Sequence, residues 1–527
     1  MTDYDVAIVG FGPVGAVAAC LFGQAGLKTL VLDRTDRIYD KPRAVALDHE
    51  IARVLQNIGL ADALTPHVAP FTDSRFFGVG GTLIKHLTMA PEPYPLAWTP
   101  SMVFMQPPVE QLLRDRAATS ANVTIRLNQT METFTQDDTG VTLQTSGEAG
   151  AQTFRTKYLI GCDGASSTVR RIAGLELDDL GFDQPWLVVD IMANEAGLAR
   201  LPTTSVQYCD PTRPTTFVIC TGNHRRWEIR LNDDEDPRAM EHPEAVWRLL
   251  SRWITPQDAA LWRSASYRFH ALVAKEWRTN RVFIAGDAAH QQPPFLGQGL
   301  CQGVRDIANL AWKLQARLAG HAPDALLDSY GTERGAHVRR LTTIIKGIGG
   351  IVGERDPAAA SARDARLLAE AGGTIRPVPR QDLMPGLAAG ALAEQDHPAR
   401  GTLFPQPWIE TAQGPARLDD VVGPGAVLVL AQATDVDASA VPTGVQVVAC
   451  ATADRTAAGV IVIQEQDGVL RDWFARHKVA AALVRPDHYV FGVATGQEET
   501  SRLLDEYRRC VSDGIGAGHH PGKARSG

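Results

Sequence analysis

The pattern of small and apolar residues at the start of the chain predicts a strand, a tight turn, a helix and a second strand, in that order. Asp5–Val9 is mainly apolar, Gly15–Ala25 consists mostly of small, helix-compatible residues, and Lys28–Leu32 is apolar again. Helices that connect consecutive strands are typical of parallel sheets. The pattern therefore predicts the opening unit of a parallel sheet.

Two later segments predict helices and a return of the parallel sheet. From Leu47 to Ile58 apolar residues recur on one helical face, with Asp48 available as the N-cap and Gly59 marking the end. Arg281–Ala285 has the apolar character of a buried strand, and the stripe from Leu300 to Leu318 predicts a long helix. A first domain is thus interrupted and later completed.

Other segments predict a second sheet and a separate C-terminal unit. Val206 to Leu231 alternates like antiparallel strands around a turn at Asn223, and residues 68–100, rich in Pro, Gly and aromatic side chains, are interpreted as part of the same covering sheet. Residues 356–400 have the composition of a loosely packed linker. Beyond it the pattern predicts strands at Val427–Leu430, Val445–Cys450 and Val490–Val493, a helix at Val469–His477, and a disordered tail over 513–527.

Composition favours a multi-domain protein that acts on small molecules. At 527 residues the chain is too long for one ordinary core, and a net charge of −8 without long single-sign runs argues against nucleic acid as a partner. The seven cysteines include no C-x-x-C pair and no cluster at metal-ligand spacing, which predicts reduced thiols, no metal and a cytoplasmic location. Glycines interrupt the apolar stretch Val6–Leu27, so neither export nor a membrane partner is expected.

The first motif is a Gly-x-Gly-x-x-Gly sextet between the predicted first strand and helix. It comprises Gly10, Gly12 and Gly15, and Asp33 ends the next strand. Such glycines let the backbone approach a pyrophosphate at a helix N-terminus, while the acid accepts hydrogen bonds from a ribose. We therefore predict an adenine dinucleotide site rather than a merely structural turn.

Two further motifs follow in the chain. After an apolar strand come Asp163, Ser167 and Arg170, where the acid and hydroxyl could serve a ligand or could merely satisfy free backbone donors at a helix start. The third motif is Gly286-Asp287 at a strand end, followed by Pro294 and by Gly297-Gln298-Gly299. A carboxylate there can bind sugar-alcohol hydroxyls, and the glycine-opened helix suits the anionic edge of a reduced flavin.

These motifs, in this order, resemble those of the class A flavoprotein aromatic hydroxylases, the family of para-hydroxybenzoate hydroxylase. The resemblance extends over residues 3–350. Its longer matches are similar to 3-(3-hydroxyphenyl)propionate hydroxylases and phenol hydroxylases, and they are Arg43–Glu50, Gln106–Glu110, Arg225–Glu228 and Arg305–Leu314. Matches within residues 403–489 resemble the thioredoxin-like C-terminal domain of phenol hydroxylase relatives. Without a C-x-x-C pair, a structural or oligomer-contact role is expected there.

The resemblance implies FAD as cofactor, with NADH or NADPH as a transient co-substrate. It implies that O₂ adds to the reduced flavin and that a C4a-hydroperoxyflavin passes one oxygen to an electron-rich ring. Asp163 and Arg170 are implied to serve both FAD and the nicotinamide. The implied cofactor-binding residues are Gly10, Gly12, Pro13, Gly15, Asp33, Arg34, Arg43, Gln106, Asp163, Arg170, Gly286, Asp287, Pro294, Gly297, Gln298, Gly299 and Leu300.

A phenol is attacked more easily as its phenolate, so the site calls for a base or a cation near the substrate hydroxyl. Some phenol hydroxylases carry an acid or histidine two residues after the arginine equated with Arg43, but this chain has Val45. The catalytic candidates on the covering sheet are Tyr208, His224 and Arg226. The competing interpretation is that Tyr208 packs in a strand and that His224 lies in a solvated turn.

Together these observations predict an α/β protein with the para-hydroxybenzoate-hydroxylase-like FAD-binding fold. A Rossmann-type FAD-binding domain would comprise residues 1–70, 101–180 and 276–355, an antiparallel substrate domain 71–100 and 181–275, and a thioredoxin-like domain 401–512. The predicted partners are a small aromatic substrate and O₂. The sequence does not decide between a monomer and a homodimer. The predicted reaction is hydroxylation of a phenol, ortho to its hydroxyl, such as a 3-hydroxyphenylpropionate-like or resorcinol-like compound. Alternatives are a larger polycyclic aromatic or polyketide substrate, an FAD-dependent reductase without oxygen transfer, and a flavin-containing binding module.

Overall fold

The computed structural model describes residues 3–148, 150–432, 440–450 and 459–512. The chain divides into two units. The first comprises Met1–Tyr94, Trp98–Arg305 and Val338–Pro385, and the second comprises Pro95–Ala97, Asp306–His337 and Gly386–Gly527. Within the described ranges, no helix is long and apolar enough to cross a membrane. The predicted disordered tail, 513–527, lies outside the described residues.

Both units contain helices and strands. In chain order the helices are α1 (Pro13–Gln24), α2 (His49–Asn57), α3 (Ala61–Leu64), α4 (Gln106–Ala118), α5 (Thr168–Ile172), α6 (Glu195–Arg200), α7 (Pro243–Leu250), α8 (Gly299–Leu318), α9 (Ala325–Gly353), α10 (Pro357–Glu370), α11 (Leu418–Val422), α12 (Val469–His477) and α13 (Gln497–Ser512). The strands are β1 (Tyr4–Val9), β2 (Thr29–Leu32), β3 (Ala46–Asp48), β4 (Val68–Pro70), β5 (Ser74–Phe77), β6 (Leu83–Thr88), β7 (Ser101–Phe104), β8 (Val123–Arg126), β9 (Gln129–Asp137), β10 (Gly140–Gly147), β11 (Gln152–Gly161), β12 (Leu177–Ala193), β13 (Ser205–Tyr208), β14 (Thr215–Ile219), β15 (His224–Arg230), β16 (Ala259–Ala274), β17 (Arg278–Thr279), β18 (Val282–Ile284), β19 (His290–Gln291), β20 (Val378–Pro379), β21 (Trp408–Ile409), β22 (Ala416–Arg417), β23 (Ala426–Leu430), β24 (Val445–Cys450), β25 (Val460–Ile463), β26 (Ala481–Val484) and β27 (Val490–Ala494).

A parallel sheet forms the centre of the first unit. Its order is β17-β18-β11-β1-β2-β8, and β1 pairs in parallel with both β2 and β11. The late strand β18 also joins in parallel beside β11, as the pattern at Arg281–Ala285 predicted. Because the carboxyl ends of parallel strands meet at one edge, the motifs that follow β1, β11 and β18 are brought together there.

A second sheet of the first unit is largely antiparallel, with the order β19-β16-β12-β15-β14-β13-β5-β6-β20. One face of β15 packs Trp227 and Ile229 into an apolar core with Phe217 and with helix α7. The opposite face of β15 therefore presents His224, Arg226 and Glu228, since side chains alternate along a strand. The predicted antiparallel strands around Asn223 are confirmed.

The predicted helices are present with small shifts at their ends. Helix α2 begins after Asp48, whose Oδ1 accepts a hydrogen bond from the Ile51 amide at 3.2 Å, as expected of an N-cap. Helix α8 spans Gly299–Leu318, where the stripe from Leu300 predicted it. The segment expected to be a loosely packed linker, 356–400, contains helix α10 and the buried Arg380. It is therefore more regularly structured and better packed than its composition predicted.

The second unit contains a five-stranded sheet with the order β25-β24-β23-β26-β27. The strands β25, β24 and β23 run parallel, and β26 and β27 are antiparallel to their neighbours. Apolar cores cover both faces, one including Leu470 and Phe474 of α12 and the other Leu503 and Leu504 of α13. The predicted strands and the helix Val469–His477 are confirmed.

Candidate active site

A cavity of about 1270 Å³ in the first unit brings the three sequence motifs together. It opens along the edge of the parallel sheet and extends to the polar face of the antiparallel sheet. Most of the predicted cofactor-binding residues line it. Those on the cavity wall are Gly10, Gly12, Pro13, Asp33, Arg34, Arg43, Gln106, Asp163, Gly286, Asp287, Pro294, Gly297, Gly299 and Leu300.

The turn between β1 and α1 is packed so tightly that only glycine fits at two positions. Gly10 has φ +101°, and a Cβ there would lie 2.3 Å from the carbonyl oxygen of Cys162, while a Cβ on Gly15 would lie 1.9 Å from that of Gly10. At Gly12, by contrast, no protein atom lies within 4 Å of a Cβ position. The backbone is thus exposed to the cavity at the N-terminus of a 12-residue helix, which is favourable for binding a phosphate.

Two polar side chains shape the wall beside this turn. One carboxylate oxygen of Asp33 accepts a hydrogen bond from the Phe11 amide at 2.7 Å, and the other accepts from the Thr35 amide at 2.8 Å. Gln106 Oε1 accepts from the amides of Arg43, at 3.0 Å, and Ala44, at 2.7 Å. A carboxylate has room for further hydrogen bonds, so Asp33 can still accept from a ligand hydroxyl.

In the second motif, the side chains stabilise a helix start. Asp163 accepts from the amides of Thr168 and Val169, and the Ser167 hydroxyl accepts from the Arg170 amide. Arg170 is not among the described residues that line the cavity; its guanidinium donates to the carbonyl oxygens of Ala288 and Ala165. The motif therefore fixes α5 against the Gly-Asp segment, while Asp163 also lies on the cavity wall.

The third motif places a carboxylate and a helix start on the cavity. Asp287 is exposed to the cavity, and desolvation by the protein around it raises the pKa of its carboxyl above the ordinary value. Gly299, the first residue of α8, has no protein atom within 4 Å of a Cβ position. Gln298 is not among the described cavity-lining residues, and its Oε1 accepts from Arg305 Nη1 at 2.8 Å, which anchors the start of α8.

The structure separates the three catalytic candidates. Tyr208 is not among the described residues on the cavity wall; its hydroxyl accepts from Trp253 Nε1 at 3.1 Å and its ring packs on Trp253, in line with the packing interpretation. The expectation of a solvated His224 is wrong, because it is fully buried in β15 and its Nε2 lies 2.7 Å from Asp190 Oδ1. Burial lowers the pKa of His224. Arg226 alone of the three lines the cavity.

Arg226 belongs to a buried ionic cluster that holds a cavity-lining loop. Its guanidinium bonds to Asp190 at 2.7 and 3.1 Å and donates to the carbonyl oxygens of Pro42 and Arg43. Burial of Asp190 disfavours its charge, but Arg226 and His224 nevertheless lower the pKa of the carboxyl to about 2. Arg263 donates to the same Pro42 carbonyl oxygen. The cluster therefore positions Arg43.

Several polar residues of the cavity were not predicted from the sequence. On the covering sheet these are Glu228, Thr216 and Gln207, and from the segment expected to be a linker comes Arg380. Burial raises the pKa of Glu228 to about 7 and lowers that of Arg380 to about 10. The alternation of His224, Arg226 and Glu228 along β15 was a usable signal for Glu228. No local pattern pointed to Arg380, which lies over the Phe71 ring at 4.2 Å.

These features fit FAD. The glycine-rich turn leaves space against a helix N-terminus for a pyrophosphate, Asp33 supplies an acceptor for a ribose, and Asp287 supplies one for ribityl hydroxyls. The start of α8 at Gly299 opens onto the same cavity, which suits the pyrimidine side of a flavin. Fold and site together define a dinucleotide-binding flavoprotein.

Comparisons with known proteins agree with a flavin-binding protein. A family model described as FAD binding domain matches residues 3–344, and one described as HcaD C-terminal domain matches residues 401–509. The probable NADH-specific resorcinol 4-hydroxylase of Rhodococcus jostii (strain RHA1) is 36% identical, with 96% of this chain and 95% of that protein covered. The 3-(3-hydroxy-phenyl)propionate/3-hydroxycinnamic acid hydroxylase of Mycobacterium sp. (strain JLS) is 32% identical, with 98% and 94% covered. The chain therefore belongs to the FAD-binding domain family, and its predicted membership of the class A flavoprotein hydroxylases is confirmed.

Solved structures confirm the fold. The flavin-dependent monooxygenase PieE, crystallised with FAD and substrate, superimposes with a TM-score of 0.80 over 98% of this chain and 100% of that chain. The two sequences are 21% identical, so the likeness concerns the fold alone. The C-terminal match is to the HcaD C-terminal domain, and a thioredoxin-like assignment goes beyond it.

Proposed function

We propose that this protein is an FAD-dependent, NAD(P)H-driven monooxygenase that hydroxylates a small phenol, ortho to its hydroxyl group. The observation that carries the proposal is a single cavity lined both by the three flavin motifs and by the polar face of the antiparallel sheet. The names of the relatives support a resorcinol-like or 3-hydroxyphenylpropionate-like substrate. The relative named as NADH-specific favours NADH over NADPH.

The residues that would hold FAD follow from the cavity wall. The Gly10–Gly12 turn and the start of α1 would bind the pyrophosphate, Asp33 and Arg43 the adenosine, Asp287 the ribityl chain, and Pro294 with Gly297–Leu300 the flavin ring. Once reduced, FAD supplies an activated oxygen atom from O₂. The sequence contains no second glycine-rich sextet that could hold the nicotinamide permanently, so the nicotinamide would bind only transiently. It would approach near Asp163, which the family resemblance implies for this role.

The remaining cavity residues would hold and orient the aromatic substrate. Phe71, Val218 and Phe295 supply apolar walls for a ring, and Gln207 and Thr216 supply hydrogen-bonding groups. The buried guanidinium of Arg380 favours a negatively charged oxygen nearby, since an adjacent cation lowers the pKa of a phenol. Apolar walls also exclude water from the reacting atoms.

The proposed function is tested with purified protein and a panel of phenols. We expect a yellow protein whose NADH oxidation and O₂ consumption accelerate with resorcinol or 3-hydroxyphenylpropionate, with hydroxylated product identified by mass. Acceleration only by polycyclic phenols would move the substrate class to larger aromatics. NADH oxidation without hydroxylated product from any phenol would instead indicate a reductase.

We also propose that residues 401–512 form a thioredoxin-like domain with a structural or dimer-contact role, and that 71–100 and 181–275 form the substrate domain. Three parallel and two antiparallel strands with helices on both faces support the first assignment. No disulfide joins the seven cysteines, all of which lie in described residues, and this argues against dithiol redox chemistry. Light scattering of the purified protein tests for the homodimer, and a monomer would contradict the contact role.

A further inference from the structure

We propose that Glu228 is the proton acceptor for the phenolic hydroxyl of the substrate. This inference rests on the proposed function and assigns a role that neither Val45 nor His224 can fill, because Val45 cannot take a proton and His224 is fully buried against Asp190. The geometry that supports it is a buried carboxyl on the cavity wall, on the sheet face that carries the substrate-side polar residues.

Glu228 has the position that this role requires. Its side chain is 5% exposed and lines the cavity, and no described residue hydrogen-bonds to its carboxyl. In the sheet it lies opposite Thr216, which lies opposite Gln207, and Thr216 Oγ1 donates to Gln207 Oε1 at 2.6 Å. A buried carboxyl without a protein partner is costly, and a ligand hydroxyl in the cavity would provide that partner.

The charges around Glu228 keep it available as a base. The charged groups that interact with it are Arg226 on its own strand and Asp190 on β12, and its neighbours on β14 and β13, Thr216 and Gln207, are uncharged. Arg226 is occupied by Asp190 and by two backbone carbonyls. The wall of the same cavity also carries the charged groups of Arg43, Asp287 and Arg380. With its pKa raised to about 7 by burial, Glu228 can change protonation near neutral pH.

Proton transfer to Glu228 and back would restore the carboxylate in each turnover. The phenol O–H bond breaks, its proton moves to a carboxylate oxygen of Glu228, and the electron pair stays on the phenolate oxygen, from which it activates the ring. The added oxygen atom would come from O₂ activated by the reduced cofactor, with its O–O bond broken in the transfer. The ring carbon then loses its C–H proton to water, the electrons of that bond restore the aromatic ring, and Glu228 returns its proton to the original oxygen. A carboxylate substituent would be repelled at this position, so Glu228 favours uncharged phenols such as resorcinol at this end of the cavity.

The test compares the holoenzyme with Glu228→Gln, Glu228→Asp and, as a matched control, Glu244→Gln on the exposed surface of α7. In the unmodified protein kcat/KM should rise with pH through about 7. Glu228→Gln should remove this rise and lower kcat about 100-fold. Glu228→Asp should keep the pH dependence at a reduced kcat, and Glu244→Gln should match the unmodified protein.

A second readout needs no turnover. With oxidised holoenzyme and no nicotinamide, the pH at which bound 4-nitrophenol ionises, read from its absorption spectrum, should shift in Glu228→Gln, because in the unmodified protein the phenol and the carboxyl share a proton and titrate together. An unchanged pH profile and unchanged ionisation in Glu228→Gln would overturn the role of Glu228 while leaving the hydroxylase proposal intact. If the unmodified protein neither binds nor hydroxylates any phenol, the proposed function itself fails.

Discussion

At the residue scale, the glycine motif is the part of the site that the sequence predicted best. Tight backbone turns leave few residue choices, so Gly10, Gly12 and Gly15 carry their geometry in their identity. Arg380 could not be assigned in the same way, because its place in the site arises from burial beside a cavity that distant segments enclose, and for Glu228 the alternation along β15 indicated only the face of the strand. For Asp163 the sequence could not distinguish a structural role from a ligand-binding role, and the structure shows that this side chain both caps a helix and lines the cavity.

Gly12→Ala should weaken FAD binding without disturbing the fold. No protein atom lies within 4 Å of the new methyl group, which instead enters the space proposed for the pyrophosphate. We expect the Kd for FAD, measured by fluorescence titration of the apoprotein, to rise at least about tenfold, which corresponds to about 1.4 kcal/mol. Gly347→Ala, at an exposed and open position within α9, is the control and should leave the Kd unchanged. Unaltered FAD binding by Gly12→Ala would exclude this turn as the phosphate site.

Glu228→Gln should also change how the stability of the protein depends on pH. The folded-state pKa of about 7 lies above the ordinary value of 4.5, so the native state prefers the neutral acid. The associated stability is complete below pH 4.5 and is lost as the pH rises through 7. Chemical denaturation of the apoprotein should therefore show Glu228→Gln gaining about 1–3 kcal/mol over the unmodified protein between pH 5 and pH 8. A constant difference across this range would show that the carboxyl is not desolvated.

At the element scale, capped helices and short apolar strands were predictable, whereas the long strands β12 and β16 were not. The pairing of β12 with β16 contains register irregularities between Asp179 and Asp183 and between Asp190 and Ile191. Such bulges break the period of two on which strand prediction depends. The same strand β12 carries Asp190, so the missed element also hid the centre of the ionic cluster.

Arg226→Lys should loosen the attachment of the Pro42–Arg43 loop to strand β15. Lysine keeps the charge but cannot serve Asp190 and two carbonyl oxygens at once. We expect a loss of about 3 kcal/mol in the free energy of unfolding, together with weaker FAD binding. Arg268→Lys, in the exposed pair with Asp183 of the same sheet, should cost under about 1 kcal/mol. Equal effects of the two substitutions would contradict the anchoring role.

At the scale of the whole molecule, composition could indicate several units but not how the chain is shared among them. The second unit combines residues 306–337 with the C-terminal segment, and within it Glu333 binds both Lys313 and Arg485. All three side chains are fully buried, and burial lowers the pKa of Lys313 to about 8 despite Glu333. Such pairing of distant segments leaves no local signal in the sequence.

Arg485→Met should therefore destabilise the second unit strongly. It would leave Glu333 and Asp487 buried without their guanidinium partner, at a cost of about 3–5 kcal/mol. Arg476→Met, at an exposed position of α12, is the control and should change the melting temperature little. Calorimetry of the two variants distinguishes the outcomes. If Arg485→Met were as stable as the control, the ion pairs of Arg485 with Glu333 and Asp487 would make no net contribution to the free energy of unfolding.

The most direct test of the proposed hydroxylation is oxygen transfer by the purified protein in the presence of isotopically labelled O₂. With NADH and a small phenol such as resorcinol, we expect a yellow protein that forms a hydroxylated product carrying one labelled oxygen atom. A colourless protein that does not retain FAD, or a flavoprotein that oxidises NADH without placing label in any phenol, would contradict it.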